Sequence, residues 1–406
     1  MTRKLSALLL AGIFTACASV AWAAHYDEHS GTEADPYIIG SVEDITALSD
    51  RVNSGDEPGG AYYRLSSPLN ISGTATWNPI GAEPNAFTGH FDGGNNTITM
   101  SIDNPAYRAS VFGLIGTPSG YAVKNLKVAG TIRGKFVGGI AAVIDYGTDA
   151  SIEGCEFSGT LESEYQHNSS DSASDNHTSA GGIVEVIQSG TVKNCTVRNA
   201  AITANRANAG VSAYAGGIAA TMGGGVVEAC TVTGTNIDSF GTDSYSGGIV
   251  GSSNYGIIQA CDFTGSVKGD GYAACIVGRM ENGNLDVGDV NVASNTVRAS
   301  VTSSDILGGW AALVGYIMNS GGSILTNSAD ISINGEGLTE EIAQKLVSML
   351  LTGVGQTMNP GNLTISDNHI DVTIPDKINV EVGTSGCDLG FGFSFLAGAL
   401  LLLRRK

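Results

Sequence analysis

The stretch Ser246-Gly247-Gly248-Ile249-Val250-Gly251, followed by Ile258-Gln259-Ala260-Cys261-Asp262-Phe263, contains two short phrases that recur along the chain. The first phrase is a Gly-Gly pair followed by an aliphatic residue, and its glycines are Gly138, Gly139, Gly181, Gly182, Gly216, Gly217, Gly247 and Gly248. The second phrase follows each pair and centres on a cysteine, namely Cys155, Cys195, Cys230 or Cys261. Self-similarity at such a period is typical of a solenoid built from stacked repeats.

The repeat continues in weaker form on both sides of these four units. Leu126 occupies the cysteine position upstream, and Asn295, Asn327 and Asn368 occupy it downstream. Successive members of the series are 29 to 41 residues apart, which is the variation expected where loops of unequal length interrupt coils of constant size. We therefore expect a column of these residues, in which the asparagine amides hydrogen-bond along the stack.

Short segments of alternating apolar residues, separated by glycines, predict strands that cannot bury their inward faces alone. Coils stacked about 4.8 Å apart would bury a continuous column of Ile, Val and Phe and pair their backbones in parallel. The glycines are expected at corners, where they can adopt positive φ. At Gly217 and Gly248, a Cβ would force a disfavoured φ or push coils apart. The sequence thus predicts an all-β fold, a right-handed parallel β-helix with a small N-terminal cap.

The two ends of the chain predict export. A basic start, an apolar run over residues 5–20 and Ala21-Trp22-Ala23 are typical of a signal peptide that is cleaved after Ala23. At the other end, Gly386-Cys387 precedes a short apolar stretch that ends in Arg404 and Arg405. An apolar segment followed by basic residues predicts a membrane segment whose basic end stays in the cytoplasm. A plain C-terminal anchor would have the same orientation.

The chain therefore divides into four predicted segments. These are a signal peptide (1–23), an N-terminal cap with the first coils (24–100), the parallel β-helix (101–380) and a C-terminal tail with a transmembrane segment (381–406). Two insertions interrupt the β-helix, at 161–179 and 337–352. The first is rich in Ser, Asp and Asn, which favours a solvated loop over a partner-binding or calcium-binding one. The second is predicted to form a helix that flanks the last coils.

Two stretches resemble known families. Gly-Gly-Ile-Val-Gly at 247–251, followed by the cysteine phrase, resembles the GLUG motif of bacterial surface and adhesin-like β-helix proteins, and the likeness extends over residues 31–330. Glu185 and Ala219 replace the closing glycine of that motif, which predicts wider corners there. The tail resembles C-terminal sorting tails of the Synergist-CTERM type. That resemblance implies cleavage near Gly386-Cys387 by an intramembrane sorting protease and delivery to the cell surface or outer membrane.

Composition excludes several classes of function. The net charge of −19 repels nucleic acid and anionic lipid, so the membrane is a partner only through the tail. The body cysteines form no CxxC pair and have no histidine at metal-ligand spacing, so neither a metal nor another cofactor is expected. We expect these cysteines to be buried thiols, because stacked side chains point in parallel and fit disulfide geometry poorly. An oxidising compartment favours the opposite outcome.

The predicted function is that of a non-catalytic adhesion, binding or structural module with an unidentified surface ligand, either a glycan or a protein. No catalytic residue is assigned. The alternative is a polysaccharide lyase or glycosidase, for which Asp145 and Glu185 are candidate carboxylates, although they stand at different offsets from the Gly-Gly-Ile phrase. Four tyrosines, Tyr214, Tyr245, Tyr255 and Tyr272, are candidates for stacking on sugars, or form the edge of a ladder.

Overall fold

The computed structural model describes residues 29–72, 77–117, 119–165, 177–206, 212–241, 243–281, 290–302, 310–318, 322–334, 354–358, 363–374 and 404–405. These residues form stacked coils, and each coil runs through three sheets whose ladder pairings are all parallel. The predicted parallel β-solenoid is therefore confirmed.

Sheet 1 holds the strand that begins each coil. Within the described residues its strands are Tyr37–Ile39, Tyr62–Leu65, His90–Asp92, Gly120–Lys124, Ala150–Glu153, Thr191–Lys193, Val226–Glu228, Gly256–Gln259, Val290–Ala293, Gly322–Leu325 and Leu363–Ser366. Along these strands inward residues are buried and outward residues are more exposed, as in Tyr62–Leu65. One face of sheet 1 therefore closes the core, and the other faces solvent.

Sheet 2 is the longest face and often contributes two strands to one coil. Its described strands are Leu69–Ser72, Thr97–Ala109, Lys127–Gly138, Glu156–Tyr165, His177–Gly181, Thr196–Arg198, Ala201–Arg206, Ser212–Gly216, Thr231–Ser239, Ser244–Gly247, Asp262–Gly269, Tyr272–Ala274, Thr296–Thr302, Trp310–Ala311, Ser328–Asn334, His369–Ile374 and Arg404–Arg405. Sheet 3 completes each coil with Phe112–Ile115, Ala141–Ile144, Val184–Ile187, Ala219–Met222, Val250–Ser253, Val277–Glu281, Val314–Met318 and Val354–Met358.

The core is a set of apolar columns that run through the coils. At the bend between sheets 2 and 3, one aliphatic residue per coil is completely buried: Ile140, Ile183, Ile218, Ile249 and Ile276. Sheet 2 contributes a second column in strict register: Phe157, Val197, Val232, Phe263 and Val297. Each residue packs against the equivalent residue of the next coil, so burial is shared between neighbours along the stack.

One helix, Val42–Ser54, packs against the first coils. Ser41 caps it by accepting a hydrogen bond from the Asp44 amide, and the Asp44 carboxylate accepts one from the Ser41 amide. Gly55 ends the helix in the left-handed region, with φ 79°. Its apolar stripe, which includes Ile45 and Leu48, is completely buried. The N-terminal end of the solenoid core is thereby covered.

The structure decides between the two causes predicted for the paired glycines. None of them has positive φ; the corner glycines that do have it lie at the bend between sheets 3 and 1, as Gly190 and Gly225 do, and further left-handed residues such as Ala229 lie directly before the ladder position. The paired glycines are required by space. A Cβ on Gly217 would fall well inside van der Waals contact of the Gly248 carbonyl oxygen in the next coil. Their role is close approach of backbones.

Two further details differ from the sequence-based prediction: the residue equivalent to the closing glycine, and the extent of the first insertion. Ala219 pairs with Val250, so Ala220, not Ala219, is the residue equivalent to the closing Gly251. The predicted insertion at 161–179 is shorter, because the strand Glu156–Tyr165 enters it from one side and the strand His177–Gly181 from the other. Leu161 is completely buried, since it continues the inward alternation of its strand. The insertion at 337–352 lies outside the described residues.

Candidate functional site

The four repeat cysteines form one column at the bend between sheets 1 and 2. All four are buried, free thiols. Each thiol lies against carbonyl oxygens; for Cys230, Sγ is 3.6 Å from the Val192 oxygen and 3.3 Å from the Glu228 oxygen. Burial is the main factor that raises the pKa of Cys195. Contact with the preceding thiol of the column is the main factor for Cys230 and Cys261. These thiols are inert packing groups, since the thiolate is the reactive form.

The same column continues as asparagine in later coils. Asn295 Nδ2 donates to Asn327 Oδ1 at 3.0 Å, and Asn327 Nδ2 donates to Asn368 Oδ1 at 2.9 Å. The same oxygens also accept the backbone N–H groups of Asn295 and Asn327. The predicted amide ladder is therefore confirmed. Since every bond runs to the adjacent coil, the ladder residues join coils and offer no group to a ligand.

Three of the four candidate tyrosines form a second column, where sheet 2 meets sheet 3. Tyr214, Tyr245 and Tyr272 are opposite one another in successive strands. Their rings stack with centroids 5.7 and 5.6 Å apart. Across the bend, Tyr316 stacks on Tyr272 at 4.6 Å, and the Arg279 guanidinium lies 4.8 Å from the Tyr245 ring centroid. We call these five residues the aromatic corner.

The geometry of the aromatic corner limits what it can bind. Both faces of Tyr245 are covered by neighbouring rings, and burial raises its pKa to about 12. A sugar stacks on a free ring face, so Tyr245 is unsuited to that role. Arg279 Nη1 donates to the Tyr214 hydroxyl and pairs with Glu281. Tyr255 lies outside this column, in the bend after Val250–Ser253.

Glu185 lies on the same bend, in an earlier coil. It is completely buried and accepts a hydrogen bond from Ser179 Oγ at 2.5 Å. Its second carboxylate oxygen lies 3.7 Å from Arg108 Nε. Burial outweighs Arg108 and raises the pKa of Glu185 to about 7. A carboxyl group of this kind can hold a proton near neutral pH, as the acid of a hydrolase does.

The structure does not bring Asp145 beside Glu185. Ile144 is paired with Ile187, so Asp145 follows the end of its strand, whereas Glu185 lies near the beginning of the next. The Asp145 carboxylate accepts a hydrogen bond from the Tyr146 amide and is partly exposed. Three residues of extended chain amount to about 10 Å, and the two side chains belong to different bends.

A further site, on the outer face of the first coils, was missed by sequence reasoning. Tyr62 and His90 face each other in register and stack at 4.2 Å. The Tyr121 ring approaches both of them edge-on, and its carbonyl oxygen lies 2.6 Å from His90 Nδ1. The sequence predicts Tyr62 and His90 only as part of the cap and first coils, and Tyr121 only as part of the β-helix. The available clue was the recurrence of an aromatic or histidine residue two or three positions before a charged one.

Charged side chains line the cavity beside these rings. Arg64, Asp92 and Lys124 form a row through three successive strands of sheet 1. Lys124 Nζ lies 3.9 Å from Asp92 Oδ2 and 3.9 Å from the Tyr121 ring centroid. The cavity has a volume of about 240 Å³, and Glu33 also lines it. We call it the first-coil cavity.

The processing residues lie largely outside the described part of the chain. Ala23, Gly386 and Cys387 are not described, and Arg404 and Arg405 form a short strand beside Thr373 and Ile374. In the described ranges, no helix has the length and apolar character needed to cross a membrane. The same ranges contain no group of three or more His, Cys, Asp or Glu side chains arranged to hold a metal ion.

The comparisons with known proteins show a fold that this chain shares with another protein, and they assign the chain to no family. No protein-family model matches it. It is 34% identical over 116 residues to halomucin of Haloquadratum walsbyi, which is 25% of this chain and 1% of that protein. A crystal structure of a putative immunoglobulin A1 protease from Bacteroides ovatus superposes with a TM-score of 0.50 and 21% identity. That match covers 66% of this chain and 76% of the other, and at this identity it shows a shared fold alone.

Proposed function

We propose that this protein is an exported cell-surface module that binds or adheres without catalysing a reaction. One observation carries the proposal: the residues of the two repeated phrases make contacts between neighbouring coils. The paired glycines allow close backbone contact, and the Cys and Asn column bonds one coil to the next. What remains for other molecules is a long, regular outer surface, which is the usual binding element of a solenoid.

The basic and apolar N-terminal segment and the apolar C-terminal segment that ends in basic residues support export. The GLUG-like repeat and the Synergist-CTERM-like tail belong to the same proposal. Deletion of residues 387–406 should release the protein into the medium or periplasm. It should also leave the melting temperature of the purified body unchanged, because the described part of the tail adds only the two-residue strand Arg404–Arg405 to the end of sheet 2. A body that fails to fold without the tail would contradict the sorting role.

The binding role is tested with the purified chain on arrays of glycans and of host and bacterial surface proteins. Retention of a defined ligand class, with no change in that ligand's mass after long incubation, is the expected outcome. Release of a shortened product would replace this proposal with an enzymatic one.

Glu185 is the observation that favours the alternative, a carbohydrate-active enzyme. Its pKa of about 7 and its burial suit a general acid. Against this, the sequence-predicted partner Asp145 lies on a different bend from Glu185, and Glu185 is engaged by Ser179 and Arg108. Replacement of Glu185 by Gln would abolish turnover in the enzyme and leave ligand retention intact in the binding module.

A further inference from the structure

We propose that the first-coil cavity binds a single neutral pyranose ring of a glycan. This inference rests on the proposed binding role and assigns it a place and a ligand. The volume of about 240 Å³ is below the range of about 300 to 1,000 Å³ typical of drug-sized ligands. A cavity of this size accommodates one sugar ring, and the rest of a glycan would extend into solvent.

The aromatic walls suit the apolar face of a sugar on the ring faces that remain uncovered, since His90 stacks on one face of Tyr62 and Lys124 Nζ lies over one face of Tyr121. Tyr62 and Tyr121 both line the cavity, are half-buried, and meet edge-on with ring centroids 6.4 Å apart. His90 is stacked on Tyr62 and contacts the Tyr121 carbonyl oxygen, so the aromatic group is held in place before any ligand arrives. A wall that is already ordered loses little conformational entropy on binding.

The charged side chains that line the cavity can hydrogen-bond to the hydroxyl groups of a sugar, and together they favour neither an acidic nor a basic ligand. Glu33 and Asp92 supply two carboxylates, and Arg64 and Lys124 supply two cations, so the lining is balanced. Within the described residues, Arg64 and Glu33 make no ion pair with each other or with any other side chain. Their donors and acceptors are therefore available to vicinal hydroxyls, which both donate and accept. A chain with a net charge of −19 also repels acidic polysaccharides as a whole.

Asp92 is oriented by the solenoid. Its Oδ1 accepts hydrogen bonds from the Gly94 amide and from Asn125 Nδ2, the side chain of a left-handed bend residue in the next coil. Lys124 holds the other oxygen. The carboxylate therefore points in a fixed direction, as a specific acceptor for a sugar hydroxyl must.

The test uses the full chain and methyl glycosides of glucose, galactose, mannose and N-acetylglucosamine, with methyl glucuronide as the acidic probe. Saturation-transfer NMR and chemical-shift titration measure binding. We expect at least one neutral glycoside to bind and methyl glucuronide to bind at least tenfold more weakly. Tyr121→Ala should weaken the neutral ligand at least tenfold. Arg64→Ala, an exposed position where folding is not at risk, should weaken it at least threefold.

Matched controls are Tyr255→Ala, an aromatic residue outside the cavity, and Glu228→Gln, which lies further along the same row of sheet 1 as Asp92; both should bind normally. Absence of binding by every probe, or a preference for the glucuronide, would overturn the inference. If Tyr121→Ala and Arg64→Ala leave binding of the chain to a glycan array unchanged, the proposed function stands and this site is wrong.

Discussion

Two groups of repeats in the solenoid have different residues at the same two bends. In a first group of repeats, a Gly-Gly pair at the bend between sheets 2 and 3 precedes each of the four ladder cysteines along the chain. In a second group, Ala274-Cys275 and Ala311-Ala312 take the place of the pair, and Asn295 and Asn327 take the place of the cysteine. The first group thus relies on close backbone contact, and the second on side-chain amide bonds. Equivalent positions in one solenoid therefore need not have equivalent energies.

The largest expected difference in stability between the two groups concerns the second glycine of the Gly-Gly pair. Gly217→Val should cost more than about 4 kcal/mol of unfolding free energy or prevent folding, since the new side chain would overlap the Gly248 carbonyl group. Ala312→Val, at the same place in the second group, should cost about 1–3 kcal/mol, as overpacking normally does. Denaturant unfolding followed by circular dichroism measures both. Equal costs would show that the two corners do not differ.

The next effect concerns the asparagine column. Asn327→Ala should cost about 3–5 kcal/mol, because it removes the buried acceptor of the Asn295 backbone N–H and of one Asn295 side-chain N–H, and it removes the donor to the Val292 carbonyl. Cys230→Ala, its counterpart in the first group, should cost about 1–2 kcal/mol, since only packing and weak thiol contacts are lost. The comparison fails if the cysteine variant proves as unstable as the asparagine variant.

Aliphatic positions should not distinguish the two groups. Ile218→Ala and Leu313→Ala each remove a buried side chain at the same place in different coils, and each should cost about 2–5 kcal/mol. Denaturant midpoints and slopes of the two variants should agree. A much smaller cost for Leu313→Ala would mean that the later coils are loosely packed, and that the contrast extends beyond glycine and asparagine.

Sequence reasoning identified the features that repeat. Coil after coil, the cysteine phrase marked the same bend, so the ladder and its continuation as asparagine followed from spacing alone. It left two causes open for the paired glycines, a need for space and a need for positive φ, because both give the same residue; the structure shows the need for space. It also missed the first-coil cavity, since Tyr62, His90 and Tyr121 are brought together by register between coils of different length. That register becomes visible only when the loops are in place.

The smallest effect is a pH dependence of stability to which a cysteine at the ladder position should contribute and an asparagine at that position should not. The folded thiols have raised pKa values, Cys195 mainly through burial and Cys230 mainly through contact with the Cys195 thiol, whereas the unfolded thiols ionise above about pH 8.5. Unfolding then releases protons, so stability is complete below that pH and falls as pH rises, by at most about 1.4 kcal/mol per unit for each thiol. Between pH 8 and 9.2, Cys230→Ala should therefore lose about 1 kcal/mol less than the wild type, while Asn327→Ala should follow the wild-type slope. Parallel slopes for all three proteins would show that the cysteine column remains accessible to ionisation when folded.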